Sequence, residues 1–204
     1  MKRTISAMRG PGSLKHNRRA FTAENVDAER TRYNVVYKDE PIKQVYHELF
    51  DDALERYNSK QKRKDRCISD YYEHLRTGKQ EKVFHELIVQ IGDKDNTGVT
   101  TEDGQWAATI LDEYMQDFEK RNPTLRVFGA FLHMDEATPH LHIDFIPYVS
   151  GWKGKGMDTK VSLKQALKAL GFAGGTKKES ELNQWINAEK EQLAAVMELS
   201  LIHI

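Results

Sequence analysis

Residues 124–148 read TLRVFGAFLHMDEATPHLHIDFIPY. Two runs rich in β-branched and aromatic residues, TLRVFGAFLHM and PHLHIDFIPY, are joined by six residues, Met134 to Pro139, with an acidic centre. A connection that short joins antiparallel neighbours. The stretch therefore reads as a β-hairpin, and the continuous apolar face of each strand places both near the middle of a sheet. Alternation sets His140 and His142 on one face, about 6.6 Å apart at ~3.3 Å per residue. Leu141, Ile143 and Phe145 point to the other face, toward a core. His133 ends the preceding strand, so the three imidazoles can meet above the sheet. Glu136, in the turn, can bend back to the same point.

Outward from the hairpin, strands and helices mix. TISAM near the start, RYNVVY (32–37) and KVFHELIVQI (82–91) read as strands. In the last of these, Val83, His85, Leu87 and Val89 share one face, and Phe84, Glu86, Ile88 and Gln90 the other. Pro41 opens a helix at its first turn, with Val45, Leu49, Ala53, Leu54 and Tyr57 at helical spacing. A polar, basic connector follows. EDGQWAATILDEYMQDFEKRN (102–122) reads as one amphipathic helix, and two helices, near 163–170 and 179–198, close the chain. The pattern predicts an α+β fold: a central antiparallel sheet of about five strands, covered by helices.

The bulk composition bounds the function loosely. The 204 residues carry no net charge, with 39% hydrophobic and 30% charged positions, an ordinary globular mixture. The single cysteine, Cys67, forbids an internal disulfide framework, and a reducing, cytoplasmic location is expected. No apolar run is long enough to cross a bilayer, and the basic N-terminus lacks a signal peptide's apolar stretch. Charge is unevenly spread. Eight basic residues, including Lys2, Arg3, Lys15, Arg18, Arg30 and Arg32, face three acidic ones before residue 33. KQKRKDR (60–66) and the lysines at 153, 155, 160, 164 and 168 form two further sets. Such runs are either solvated faces or phosphate-binding surfaces.

Three imidazoles and one carboxylate on the arms of a hairpin point to a metal site with coordination to spare, as in catalytic centres. The donor set suits Mn²⁺, Zn²⁺, Ni²⁺ or Co²⁺, with Mg²⁺ a poorer match. A zincin would need HExxH; His47-Glu48 is followed by Asp51 and His85-Glu86 by Val89, so neither pair completes it. A cupin-type oxygenase expects a glutamate a few positions after HxH, and FIPYVSGWK offers no carboxylate.

HMDEATPHLH matches the motif HxDExxPHxH, whose His-hydrophobe-His core names the HUH endonucleases. KHNRR (15–19) matches a first motif of His followed three residues later by Arg, and RYNVVY lies where a second motif centred on Asn is expected. In this order the motifs resemble those of the MobV-type relaxases, the Mob/Pre plasmid mobilisation and recombination proteins. The resemblance covers roughly residues 1–198 and implies an HUH-like fold. It also implies an enzyme that binds an origin of transfer, cuts one strand and stays covalently joined to the 5′ end. The metal ligands implied are His133, Glu136, His140 and His142, with Mn²⁺ expected first. The nucleophile implied is His16, with Arg19 neutralising phosphate or orienting the site and Glu136 sharing in catalysis. MobV second motifs carry Tyr directly after Asn. Here Val35 follows Asn34, with Tyr33 and Tyr37 at shifted places, which favours His16. Arg18 stands where the family often has an acid.

DNA contacts are expected from Lys15, Arg18, Arg32, Asn34, Lys153 and Lys155, along an origin hairpin and its single strand. Trp152 would either stack on a base or anchor packing. Coupling or relaxosome proteins are the expected partners. Two other classes stay open: a catalytically idle DNA-binding or replication-regulating protein with the same fold, and a metal-dependent enzyme acting on small molecules. The final six residues, LSLIHI, resemble a translated transposase adapter, so a catalytic domain over 1–198 is expected, with 199–204 extraneous and His203 without a role.

Overall fold

A computed structural model describes residues 4–176 and 178–202. Lys2 and Arg3 of the basic N-terminal set, and His203, lie outside them. Six strands appear: β1 (Ile5–Arg9), β2 (Val35–Asp39), β3 (His85–Ile91), β4 (Leu125–His133), β5 (His140–Val149) and β6 (Lys160–Val161). Five form one sheet in the order β1-β3-β5-β4-β2, and the two-residue β6 pairs with β5. Every pairing is antiparallel. The hairpin expected from the sequence is the β4–β5 pair, and β5 is the central strand.

Alternation along β5 sorts its side chains between two layers. Leu141, Ile143 and Phe145 join Leu87, Val89 and Ile91 of β3 in a core. That core is covered by Ile110, Leu111 and Tyr114 of α4 (Glu102–Gln116) and by Trp185 and Leu193 of α7 (Glu181–Ile202). Each fully buried Leu, Ile or Phe contributes roughly 1.5–3 kcal/mol to that seam. The opposite face divides in two. Phe128 and Ile146 pack under Val45, Tyr46 and Phe50 of α2 (Ile42–Ser59) and Tyr71 of α3 (Tyr71–Thr77). The rest of that face carries His140, His142 and Asp144, under α1 (Leu14–Asn17).

A bulge decides which way His133 points. Val127 pairs with Phe145 and Gly129 with Asp144, leaving Phe128 as an extra residue. Val127 and Ala130 therefore both face the α4–α7 core, although three positions separate them. A strictly alternating strand counted from Val127 would turn His133 into that core. The added residue switches the phase, and His133 lands opposite His140, on its face.

The structure corrects several boundaries. RYNVVY is not one strand: a 3₁₀ turn spans Thr31–Tyr33 and β2 starts at Val35. The Asn34 side chain between them bonds the β4–β5 turn instead of a ladder. Pro41 is the last extended residue before α2, with φ −64° and ψ 116°. The helix expected over 102–122 breaks at Asp117 into α4 and the short α5 (Phe118–Arg121). The polar, basic connector holds α3, whose first turn is capped by the Asp70 carboxylate accepting from Glu73 N–H. α6 (Leu163–Ala169) and α7 match the two closing helices, and α7 runs on to Ile202. No helix among the described residues is long and apolar enough to cross a membrane.

Candidate functional site

His133, His140 and His142 converge, His140 and His142 by alternation along β5 and His133 by way of the bulge at Phe128. Their ring centroids lie 5.4 Å (133–140), 4.5 Å (133–142) and 4.9 Å (140–142) apart. Each ring spends one nitrogen outward. His133 Nε2 bonds the Asn17 carbonyl at 3.0 Å, His140 Nδ1 the Thr138 carbonyl at 2.8 Å, and His142 Nδ1 the Glu86 carboxylate at 2.6 Å. Those acceptors fix the tautomers and turn the other nitrogens, with their lone pairs, inward. The inward Nδ1 of His133 and Nε2 of His142 are buried with no hydrogen-bond partner. Such orphans are costly unless something satisfies them. Burial, reinforced by neighbouring His142, drives His133 down to about 2, and burial lowers His140 as well. Both rings thus hold neutral, metal-binding form.

Glu136 completes the cluster from the turn. Its Oε1 lies 3.9 Å from His133 Nδ1 and 3.8 Å from His140 Nε2. His133, Glu136 and His140 form one group able to hold a metal ion, and His16, His133 and His142 a second; donor atoms within each lie within 4.8 Å of one another. Modest contraction brings such a set onto an ion at ~2.0–2.2 Å. The inward orphans and the mixed imidazole–carboxylate donors fit a divalent cation.

The first motif reaches this point through the fold. His16 sits on the four-residue α1, whose N-terminus is capped by Ser13. Its ring centroid is 5.6 Å from that of His133 and 5.3 Å from that of His142. His16 Nε2 lies 3.2 Å from Glu136 Oε1. Burial and the Arg19 charge lower the His16 pKa, against the opposing pull of Glu136. Arg19 follows with φ +52°, in the left-handed region where a non-glycine residue is uncommon. Its guanidinium donates Nε to Asp135 Oδ2 (2.9 Å) and Nη2 to Asp135 Oδ1 (2.5 Å) and Glu136 Oε1 (2.7 Å). Nη1 lies 3.2 and 3.4 Å from the two His16 ring nitrogens.

Three supporting residues escaped the sequence reading. Asp135 is fully buried and also accepts from Thr31 Oγ1 and Asn34 Nδ2. Burial pulls its pKa upward, yet Arg19, Asn34 and Thr31 hold it at about 2. Glu86 is equally enclosed; burial opposes its charge, but bonds from His142, Gly12 N–H and Asn17 keep it below the ordinary range. Its carboxylate lies so close to Gly10 that a Cβ there would sit 2.1 Å from Oε2. Asn17 Nδ2 bridges Glu86 and Asp144, each at 2.9 Å, and burial pushes Asp144 up to about 7. The one sequence signal for Glu86 is a carboxylate beside the apolar run Leu87 to Val89 of a strand.

The expected DNA contacts are placed unevenly. Lys15 and Arg18 lie within the first motif and Arg32 two residues before Asn34, all at exposed positions. Arg18 pairs with Asp39 at 2.6 Å, and Arg32 lies over the Tyr33 ring at 5.0 Å. Asn34 is engaged internally: Nδ2 donates to Asp135 and Oδ1 accepts from Met134 N–H. Lys153 and Lys155 are exposed, and Lys155 lines a cavity of about 280 Å³ beside Tyr71 that shares no wall residue with the imidazole cavity. Trp152 stacks under Lys160 Nζ, 4.1 Å from its ring centre.

An antiparallel α+β sheet carrying a histidine–carboxylate cluster on its central hairpin defines a class of candidate metal-dependent proteins. Residues 17–193 match the family model of Mob_Pre, described as plasmid recombination enzyme, and the chain belongs to that family. His16 stands one residue before the matched segment. No curated protein matches the chain. Among solved structures the chain is similar to the MobM relaxase domain (MOBV; Mob_Pre) bound to plasmid pMV158 oriT DNA, in a Mn-bound crystal structure at pH 5.5. The identity is 19% over 90% of this chain and 85% of that one, with a TM-score of 0.47. A Mn-bound structure of the same domain with oriT DNA and a 3′ thiophosphate, at pH 6.8, shows 22% identity over 79% and 76%, also at 0.47.

Proposed function

We propose that this protein is a plasmid mobilisation relaxase. It nicks one strand at an origin of transfer by metal-dependent transesterification and keeps the 5′ phosphate as a covalent adduct. The observation that carries the reading is the approach of His16 to the imidazole–carboxylate cluster, with Nε2 3.2 Å from Glu136 Oε1 across 120 positions of chain.

His133, His140 and His142, with Glu136, would hold a divalent cation, which supplies Lewis-acid polarisation of the scissile phosphate. Manganese is the proposed ion, since MobM carries the same family name and is Mn-bound; Mg²⁺, Zn²⁺, Ni²⁺ and Co²⁺ are the alternatives. His16, held neutral by burial and by Arg19, offers a ring lone pair without prior deprotonation. With Nε2–H directed at Glu136, Nδ1 attacks phosphorus, the bond to the 3′ oxygen breaks, and that oxygen leaves with the electron pair. The ring proton passes through Glu136 to the leaving oxygen, giving a 3′ hydroxyl and a phosphorylated imidazole. Arg19 holds Glu136 in place and offers Nη1 to a non-bridging oxygen. The adduct conserves the phosphodiester bond energy, so rejoining needs no nucleotide cofactor.

Residues 1–198 are proposed as the catalytic unit, acting in the cytoplasm on an origin hairpin and its single strand, with coupling or relaxosome proteins as partners. Lys15, Arg18, Arg32, Lys153 and Lys155 are proposed to contact the DNA backbone, and Asn34 to act by holding the turn. The test is incubation with supercoiled plasmid carrying the cognate origin, with and without Mn²⁺, and a search for protein joined to a 5′ end. Binding without any adduct would replace this reading with the idle DNA-binding one.

A further inference from the structure

Asn17 follows His16 on the four-residue α1 and is only 2% exposed. A buried amide needs partners. Its Nδ2 donates to Glu86 Oε1 and to Asp144 Oδ2, each at 2.9 Å, while Oδ1 finds none, so the site holds Asn17 by its donors. The Asn17 carbonyl accepts from His133 Nε2 at 3.0 Å. Glu86 Oε1 also accepts from His142 Nδ1 at 2.6 Å. One residue of the first-motif segment thus reaches the outward nitrogens of two cluster imidazoles, that of His133 directly and that of His142 through a shared carboxylate oxygen. The same two rings turn His133 Nδ1 and His142 Nε2, both without a partner, toward the candidate metal position.

Resting on the metal and nucleophile roles proposed above, we infer that Asn17 is a positioning residue that couples cation binding to the seating of His16. A cation on the inward nitrogens draws electron density from both rings. The outward N–H of His133 becomes a stronger donor, and its bond to the Asn17 carbonyl tightens. The amide arm acts by placement: pinned between Glu86 and Asp144, it aims that carbonyl at His133. The segment is then clamped from behind, whereas Arg19 and His16 tie it to Glu136 from the front. Such coupling is reciprocal: a segment that seats better with the cation bound raises the affinity for the cation by the same factor. Without the cation the segment opens more readily, so the nucleophile is best presented when the phosphate can be polarised.

The test reads backbone amide exchange by mass spectrometry, with and without Mn²⁺, in wild type, Asn17→Ala and Asn17→Asp. The amides of Asn17, Arg18, Arg19 and Ala20 bond to carbonyls of residues 13–16, so their exchange reports opening of the segment. In wild type Mn²⁺ should slow it roughly 5- to 150-fold and leave α2 unchanged. Asn17→Ala keeps the carbonyl and loses the amide, so the slowing should shrink. Asn17→Asp sets a third carboxylate against Glu86 and Asp144, so the slowing should vanish. Mn²⁺ affinity by calorimetry should fall across the series by the same factors, and nicking should lose kcat with the KM for origin DNA unchanged. A purely structural Asn17 would lower the melting temperature and leave the Mn²⁺-dependent slowing in place. Equal slowing in all three proteins, or none in a wild type that binds Mn²⁺, overturns the coupling and leaves the relaxase reading intact. No Mn²⁺ binding by wild type overturns the metal role and the coupling together. Slowing that follows the series without nicking by wild type overturns strand transfer alone. Protection of the β5 amides shows that a variant has folded; should Asn17→Asp lack it, wild type against Asn17→Ala decides.

Discussion

Glu86 Oε1 lies 2.6 Å from Nδ1 of His142, so one buried carboxylate sets which nitrogen of that imidazole faces the cluster. Removing its charge should weaken the ring as a donor. Glu86→Gln should lower Mn²⁺ affinity roughly 10–100-fold, as is usual for outer partners of ligating histidines. Calorimetric titration reads this directly, and an unchanged affinity would show that Glu86 serves packing alone.

Replacing His140 or His142 with Ala should abolish metal-dependent nicking and leave the fold intact. Mn²⁺ should raise the melting temperature of wild type by mass action and leave both variants unmoved. Full nicking by both would remove the role assigned to the cluster.

His16→Ala should lose the covalent adduct and keep DNA binding, whereas Tyr33→Phe and Tyr37→Phe should keep the adduct. Tyr37 donates its hydroxyl to Asp112 at 2.7 Å, and burial followed by that carboxylate raises its pKa far above ordinary phenol, which makes it a poor nucleophile. Adduct formation by His16→Ala, with loss in a tyrosine variant, would reverse the assignment.

Asp135→Asn should destabilise the protein by roughly 3–5 kcal/mol, the usual cost of stripping one partner from a buried ion pair. Arg19 would lose a two-point grip while remaining largely enclosed. Urea unfolding measures the change, and a loss below about 1 kcal/mol would mean that Glu136 alone suffices to hold Arg19.

His85 gives a pH prediction. It is buried with neither ring nitrogen bonded, stacked 6.1 Å from Phe145, and burial lowers it to about 4. The folded state therefore binds its proton less readily than the unfolded chain. Stability is complete above about 6.5 and falls as pH drops toward about 4, by roughly 3 kcal/mol in all. His85→Phe should lose distinctly less stability than wild type between pH 7.5 and 4.5; parallel melting curves would contradict it.

The histidine hairpin was legible because its information is local: two alternating runs, a short turn and imidazoles two residues apart. The residues that orient it were not. Glu86, Asn17 and Asp135 act on partners 56, 69 and 116 positions away, and no periodicity marks such pairs. For Glu86 the sequence shows a strand face shared with Phe84, Ile88 and Gln90 and an incomplete HExxH, neither of which points to His142. The bulge at Phe128 was hidden because an apolar residue suits either face of a strand buried on both. RYNVVY misled by composition: its β-formers are real, but Asn34 finds better partners in the hairpin turn than in a ladder.

The four catalytic candidates differ in how they are mounted. His133, His140 and His142 belong to inner strands laddered on both sides, whereas His16 rides on a single helical turn. Amide protons around the three hairpin imidazoles should exchange only with global opening, and those of residues 14–19 through cheaper local excursions. The site then resembles a vice with one fixed and one sliding jaw. In the proposed reaction the moving jaw would carry the joined end, with its travel limited by the Asn17 carbonyl on His133 and the Arg19 grip on Asp135.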